Sequence, residues 1–437
     1  MRRASLFLLC AGLPLLALAG CHSKVASPDD QVGPNVTLPD PQAYLLPPMK
    51  IAPVKPWQNG EMPIAGAGLK VQPFATGLIH PRSVFALPNG DVLVAETDGP
   101  KPPLNRPKDF IMGLIQASGK KSGPKAPNDI ILLRDTQHTG VADQRFTFLT
   151  HRHSPFGMAL IGDNLYVADT DAVIRYHYTP GQTVMTDPGE KLTDLPGGPI
   201  DHHWTKSMVA SPDGTKLYVG VGSNSNITEN GMPAEFERAA IWEIDVATGA
   251  HRLYATGTRN PVGVTFEPVT HKLWAVVNER DELGPNLVPD YLTSIADHGF
   301  YGWPYSYWGQ HLDPRVKPQS PEMVAKAIVP DYGLGSHVAP LGIAFSTGNA
   351  IPAQYRGGAF VGEHGSWDRD PFNGYKVIYV PFANGRPSGK PVDVLTGFLT
   401  ADGHARGRPV GLATGLDGAL LVADDVGNSV WRVSAAQ

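Results

Sequence analysis

The stretch Arg259-Asn260-Pro261-Val262-Gly263-Val264 decides the fold, because its pattern returns along the chain. Six cores share it: Pro81-Arg82-Ser83-Val84, Pro155-Phe156-Gly157-Met158, Thr205-Lys206-Ser207-Met208, Pro261-Val262-Gly263-Val264, Pro340-Leu341-Gly342-Ile343 and Pro409-Val410-Gly411-Leu412. Each leads into a short apolar strand: Val92-Leu93-Val94-Ala95, Leu165-Tyr166-Val167-Ala168, Leu217-Tyr218-Val219-Gly220, Leu273-Trp274-Ala275-Val276, Phe360-Val361-Gly362 and Leu421-Val422-Ala423. Turn chemistry introduces four of them, at Asn89-Gly90, Gly162-Asp163-Asn164, Pro212-Asp213-Gly214 and Asp417-Gly418. The strand starts lie 73, 52, 56, 87 and 61 positions apart, a spacing that suits four-stranded blades with inserted loops. Six such sheets hide their edges by closing radially, so an all-β, six-bladed β-propeller of four-stranded antiparallel blades is expected. A sandwich is the second choice, and a parallel β-helix the third, because the period exceeds one coil.

Each core is also preceded by a titratable or cationic residue: His80, His153, His203, Arg259, His337, and Arg406 with Arg408. A repeat of strands does not require this. If the cores begin the innermost strands, closure gathers these residues around one mouth of the central channel. Guanidinium and imidazole groups in a low-dielectric funnel suit an organic polyanion, since arginine pairs bidentately with carboxylates. The polar residues that end the second strands, Glu96, Asp169, Asn278, Glu363 and Asp424, read as blade-to-blade hydrogen bonds.

The rest of the chain narrows the setting. A net charge of -5 over 437 residues, without a long basic run, argues against nucleic-acid binding. Lys120-Lys121 sits in a short Gly-bounded loop. Residues 1–21 read as a targeting segment, with Arg2 and Arg3 ahead of an apolar stretch from Leu6 to Ala19 that is too short to span a membrane. It ends Leu18-Ala19-Gly20-Cys21, which resembles a bacterial lipobox and implies export, with a lipid anchor at Cys21 and a periplasmic location at the cell envelope. Cys10 is removed with that segment, leaving no pair for a disulfide and no thiol for catalysis. Residues 22–65, rich in proline, read as an extended tether, and 66–437 as the folded body. Helical periodicity is scarce; Asp109–Gln116 is the best candidate.

Asp201-His202-His203-Trp204-Thr205, Ser211-Pro212-Asp213-Gly214, Gly257-Thr258-Arg259-Asn260-Pro261, Leu283-Gly284-Pro285-Asn286, Tyr301-Gly302-Trp303-Pro304 and Arg406-Gly407-Arg408 follow one another in this order. The set resembles the glucose/sorbosone dehydrogenase family, propeller enzymes that use pyrroloquinoline quinone (PQQ). Gly222-Ser223-Asn224-Ser225-Asn226 is more similar to its sorbosone branch. The resemblance implies oxidation of a sugar, polyol or aldehyde by base-assisted hydride transfer from C1 to the quinone, with electrons passing on to a cytochrome or a membrane quinone. By the same resemblance His203 is the general base. Arg259 polarises the quinone carbonyl with Asn260 beside it, Arg406 and Arg408 hold the cofactor's carboxylates, and the Gly284 and Pro285 carbonyls bind Ca²⁺. Two departures stand out. Ser223 replaces an aspartate that orients the base, so His202 or Asp201 is a candidate for that task. A fifth-blade lysine is missing, for which His364 or Lys376 is the substitute.

Two other readings compete. A metal-dependent lactonase on a six-bladed propeller would draw ligands from Glu96, Asn260 and Asp424, but leaves the arginines and Gly-Pro-Asn unexplained. A non-catalytic outer-membrane propeller would have lost the base or the arginines, which are present. His151-Arg152-His153 lacks a third zinc ligand at standard spacing, and no Gly-rich phosphate loop occurs.

Overall fold

The computed structural model describes residues 28–42, 49–58, 60–101 and 124–436. The targeting segment with Cys21, Lys120-Lys121 and the helix candidate 109–116 lie outside them. Among the described residues no helix is long and apolar enough to cross a membrane.

Six antiparallel sheets form the six blades expected from the repeat. Blade 1 runs Pro81–Ala86, Val92–Glu96, Asp129–Arg134, Gln144–Leu149, and blade 2 runs Gly157–Ile161, Asn164–Ala168, Ala172–His177, Glu190–Asp194. Blade 3 runs Met208–Ala210, Lys216–Val221, Ala240–Asp245, His251–Thr256, with Gly299–Phe300 added in parallel at its edge. Blade 4 is Asn260–Phe266, Leu273–Asn278, Pro289–Ser294, Tyr332–Ser336, and blade 5 is Pro340–Phe345, Ala359–Glu363, Lys376–Val380, Val392–Thr396. Blade 6 is Pro409–Thr414, Leu420–Asp424, Ser429–Ala435, and its outer strand comes from the other end of the body, Leu69–Thr76. That strand pairs from Leu69 with Ala435 to Thr76 with Ser429, so the two ends of the body close the ring within one sheet.

Every one of the six cores begins, or immediately precedes, the first strand of its blade. Each first strand lies beside that of the next blade, and Pro409–Thr414 lies beside Pro81–Ala86. The second strands read as unbroken apolar runs because both faces are covered. In blade 1, Leu93 and Ala95 face Met158, Leu165 and Val167 of blade 2. Val92 and Val94, one residue out of phase, face Leu421, Ala423 and Val430 of blade 6. Period-two alternation thus divides each run between two interfaces rather than between core and water.

The described part of the Pro-rich segment expected as an extended tether opens on a 3-10 turn, Pro28–Gln31, and is seated on the body. Val32–Gly33 pairs with Tyr332–Ser336 at the edge of blade 4, and Ile64–Ala65 with Val392–Thr396 at the edge of blade 5. Trp57 packs edge-on against Phe398 and Trp431, each with ring centroids 5.7 Å away, and its Nε1 donates to Asp424 at 2.8 Å. Covering an outer strand satisfies backbone groups that would otherwise face solvent unpaired.

Candidate active site

The second residue of each core projects to the propeller axis. Phe156, Val262, Leu341 and Val410 form one apolar cluster there, with Trp204 packed on it. The two remaining slots hold cations, Arg82 and Lys206. Lys206 is fully buried; its Nζ donates to the Trp204 carbonyl at 2.9 Å and stands 3.7 Å from Asp201. Burial, with the Arg238 charge beside it, pushes this amine down to about 7.

His203 lies half-buried at the same mouth, on the loop ahead of blade 3. Its Nδ1 is 2.7 Å from the Ser223 carbonyl oxygen and 3.1 Å from Ser223 Oγ, and that hydroxyl itself donates to the Ser225 carbonyl at 2.6 Å. A carbonyl only accepts, so Nδ1 carries the hydrogen and Nε2 presents its lone pair. Ser223 therefore orients the base through its backbone, where an aspartate was missed in the sequence. His202 stacks on His203 at 5.0 Å with 15° between the planes. Asp201 does not reach the ring; it accepts from Thr170 at 2.5 Å and faces Arg238, which donates to the His203 carbonyl at 2.9 Å. Burial, reinforced by the charges of Arg259 and His202, holds His203 well below the usual imidazole range. The packing behind it is tight. A Cβ on Gly222 would stand 2.4 Å from Asn260 Oδ1 and 2.5 Å from His203 Cβ, so only glycine fits there.

Arg259 is close enough to act on His203 through its field, but its N–H groups are engaged. Nε donates to the Asn226 carbonyl (3.1 Å), Nη1 to the carbonyls of Asn278 (3.3 Å) and Glu279 (2.6 Å), and Nη2 to Asn226 Oδ1 (3.0 Å) and Asp281 (3.3 Å). Five donors meet five acceptors, and the side chain is buried. No N–H is left for a quinone carbonyl, so the polarising contact expected of Arg259 is not set up in this arrangement. Asn260 differs: its Oδ1 is buried without a partner among the described residues.

The next loop carries the expected calcium carbonyls. The Gly284 oxygen accepts from His337 Nε2 at 3.2 Å, and the Pro285 oxygen accepts from Arg369 Nη1. Two side-chain carboxylates that the sequence reading missed join them. Asp281, His337 and Asp368 are all buried and bring one ligand atom each within 4.8 Å of one another. His337 Nδ1 stands 3.4 Å from Asp281. Burial disfavours its charge, but pairing with Asp281 wins and raises it to about 9. Burial and the neighbouring Asp281 raise Asp368 to about 6.

The other expected cofactor contacts fall between blades 5, 6 and 1. Arg406 turns to the N-terminal segment, pairing with Glu61 and covering the Trp57 ring at 5.7 Å. Its expected role on a cofactor carboxylate is therefore preempted by a carboxylate of the chain. Arg408 is 6% exposed. It makes a single 3.5 Å contact to the Ala52 carbonyl and lies 5.1 Å from the Tyr375 ring, and its Nε has no partner among the described residues. His364 Nε2 donates to Asp425 at 2.9 Å, and Arg82 Nη1 donates to the same carboxylate oxygen at 2.6 Å. Burial, with the Arg408 and Arg82 charges adding, brings His364 down to about 4 against the pull of Asp425. Lys376 points away, to Asp393 at 2.8 Å and toward Glu363, so it does not replace the missing lysine.

The lactonase ligands are not assembled. Glu96 accepts the Ile79 N–H at 2.7 Å, and Asp424 accepts from Trp57, Trp431 and the Arg408 and Gly427 N–H groups. Asn278 donates to the Pro340 carbonyl at 2.9 Å, a bond across blades 4 and 5 as expected. His153 is largely exposed and pairs with Asp171 at 2.8 Å, at the rim rather than in the funnel.

Comparison with known proteins now bears on this site. The TrAA12-like family matches residues 129–290 and 318–436, more than half of the chain. A Borreliella burgdorferi protein of unassigned activity is 34% identical over 241 residues, 55% of this chain and 62% of its own length. A pyrroloquinoline quinone-dependent pyranose dehydrogenase of Coprinopsis cinerea is 25% identical over 372 residues, 75% of this chain and 46% of its own. The chain thus spans less than two thirds of the length of either relative. The holo form of the pyranose dehydrogenase PQQ domain from Coprinopsis cinerea has the same fold, with a TM-score of 0.69 at 20% identity over 88% of this chain and 100% of that one. The calcium structure of the Trichoderma reesei family AA12 enzyme gives 0.68 at 20% identity over 90% of this chain and 100% of that one. The expected kinship with quinone-dependent sugar dehydrogenases holds, and with the match extending over both halves of the propeller, the chain belongs to the TrAA12-like family.

Proposed function

We propose that this protein is a PQQ-dependent dehydrogenase that oxidises a sugar at its C1 hydroxyl. The observation that carries the reading is the combination of His203, whose Nε2 has no hydrogen bond among the described residues, with Arg408, a buried cation whose side chain has a single acceptor among them. A buried guanidinium with so few acceptors is costly unless an anion completes it, and PQQ is a tricarboxylate. Asn260 Oδ1 offers a second unmet group, an acceptor for a ring N–H or a hydroxyl. These residues fit the cofactor.

When bound, the quinone supplies the hydride acceptor. His203 Nε2 takes the proton of the sugar hydroxyl, while Nδ1 stays anchored on the Ser223 carbonyl so that the ring cannot turn. Burial, with the Arg259 charge adding, keeps His203 deprotonated in the resting site, and that guanidinium, fixed by its five acceptors, stabilises negative charge that develops nearby. The donor set around Gly284 and Pro285 fits Ca²⁺: two carboxylates, Asp281 and Asp368, with two peptide carbonyls supply hard oxygens. His337 and Arg369 now bond those carbonyls and must turn aside when the ion enters. Substrate type within this class, sorbosone or pyranose, rests on loops above the mouth. Export, the lipid anchor at Cys21, and delivery of electrons to a cytochrome or membrane quinone belong to the same proposal.

The test is titration of the purified protein with PQQ, with and without Ca²⁺, followed by dye reduction over a panel of pyranoses, polyols and sorbosone. Saturable quinone binding and sugar-dependent dye reduction are expected. Absence of PQQ binding at micromolar concentration overturns the reading, and unchanged activity after chelation removes calcium from it. Radiolabelled palmitate on the wild type and not on Cys21→Ser checks the anchor.

A further inference from the structure

Two of the six axial slots depart from the apolar type. Lys206 is answered internally by the Trp204 carbonyl and Asp201. Arg82 is not fully answered. Its Nη1 pairs with Asp425, but its Nε is buried and has no partner among the described residues. Its guanidinium carbon stands 5.8 Å from the centre of the Trp204 ring, on the site side of the axial cluster. Across Asp425 lies His364, and Arg408 presents a second buried Nε without a partner among the described residues. Both guanidinium charges bear on His364, which places them on one local field.

Charge counting sharpens this. Asp425 supplies one negative charge, Arg82 and Arg408 one positive charge each, and a neutral His364 donates its Nε2 hydrogen to Asp425. His80 Nε2 stands 3.6 Å from the same carboxylate, and its Nδ1 faces Asp98 at 3.5 Å on the far side of the ring. Asp425, Arg82, Arg408 and His364 together carry one net positive charge and, among the described residues, two unmet N–H donors, while Arg406 is held by Glu61 and Lys376 by Asp393.

We propose that Arg82, on the first strand of blade 1, binds a carboxylate of the quinone together with Arg408, and so supplies the cation that a fifth-blade lysine provides elsewhere in the family. This rests on the PQQ reading above. Arg82 is well placed for it because Asp425 fixes one side of the guanidinium, which leaves the Nε edge oriented toward an incoming anion at little further entropic cost.

Fluorescence titration with PQQ, and with its trimethyl ester, of wild type, Arg82→Gln and Arg82→Lys tests it. Arg82→Gln is expected to weaken PQQ binding about tenfold or more, in line with loss of one charge-assisted hydrogen bond. Arg82→Lys should recover part of that loss, and none of the three proteins should differ toward the ester. Wild type that binds PQQ with both variants equal to it overturns the assignment and leaves the proposed function standing. Equal weakening toward acid and ester makes Arg82 structural and overturns it too. Wild type that fails to bind PQQ overturns both. If Arg82→Gln does not fold, the comparison of Arg82→Lys with wild type on the two ligands decides alone.

Discussion

Arg259 and Arg408 each stand just ahead of the first strand of their blades, 4 and 6, both are buried, and they do opposite things. Arg259 meets five acceptors with its five donors. Among the described residues the Arg408 side chain has a single 3.5 Å hydrogen-bond contact and an orphaned Nε. A saturated cation is structural scaffolding that acts on its surroundings through its field. An unsaturated one is a binding group whose stability cost is offset only when its ligand arrives. Residue type alone does not distinguish the two, but the acceptors around them do.

The difference can be broken experimentally, and the largest effect falls on the base. His203→Ala should lower turnover by roughly 10²- to 10⁴-fold with PQQ affinity retained, measured by steady-state kinetics and quinone titration. Turnover near wild type would place the base elsewhere. Arg259→Met takes a donor away from four peptide or amide oxygens and a charge partner from buried Asp281, so unfolding stability should drop by about 3–5 kcal/mol in denaturant melts. Arg408→Met should do the reverse. The apo protein is expected to keep or gain stability, because a poorly paired buried charge is removed, while PQQ affinity falls about 10- to 100-fold. Equal destabilisation by both substitutions would end the distinction between them. The smallest effect is on pH dependence. His203 is held below the usual imidazole range, so it remains an unprotonated base as pH falls past ~6.5, and the acid limb of kcat/KM should lie below that value. Removing the Arg259 charge makes protonation easier and should move the limb upward.

Much of the fold is legible in the chain itself. The six cores with their turns and apolar runs specify six blades, because strands covered on both faces must be apolar throughout and closure is what hides their edges. Arg82 carries a readable signal as well: it fills a slot that Phe156, Val262, Leu341 and Val410 fill with hydrocarbon. Asp281, Asp368 and Asp425 carry none, since each is one acid in a loop with other charges and polar groups, and only the closed ring brings them to the histidines and arginines they face. The seating of the Pro-rich segment is equally hidden. Its prolines read as an extended tether, yet nothing local in Trp57 or Glu61 announces that they reach Asp424 and Arg406.

The sequence by itself determined the architecture and the gathering of cations at one mouth, because a repeat fixes which residues share a position around an axis. Only the tertiary structure decided what each cation does. Whether Arg259, Arg406, Arg408 or Arg82 has an N–H to offer depends on acceptors contributed by other blades and by the N-terminal segment, and a hydrogen-bond donor already engaged is not available to a ligand.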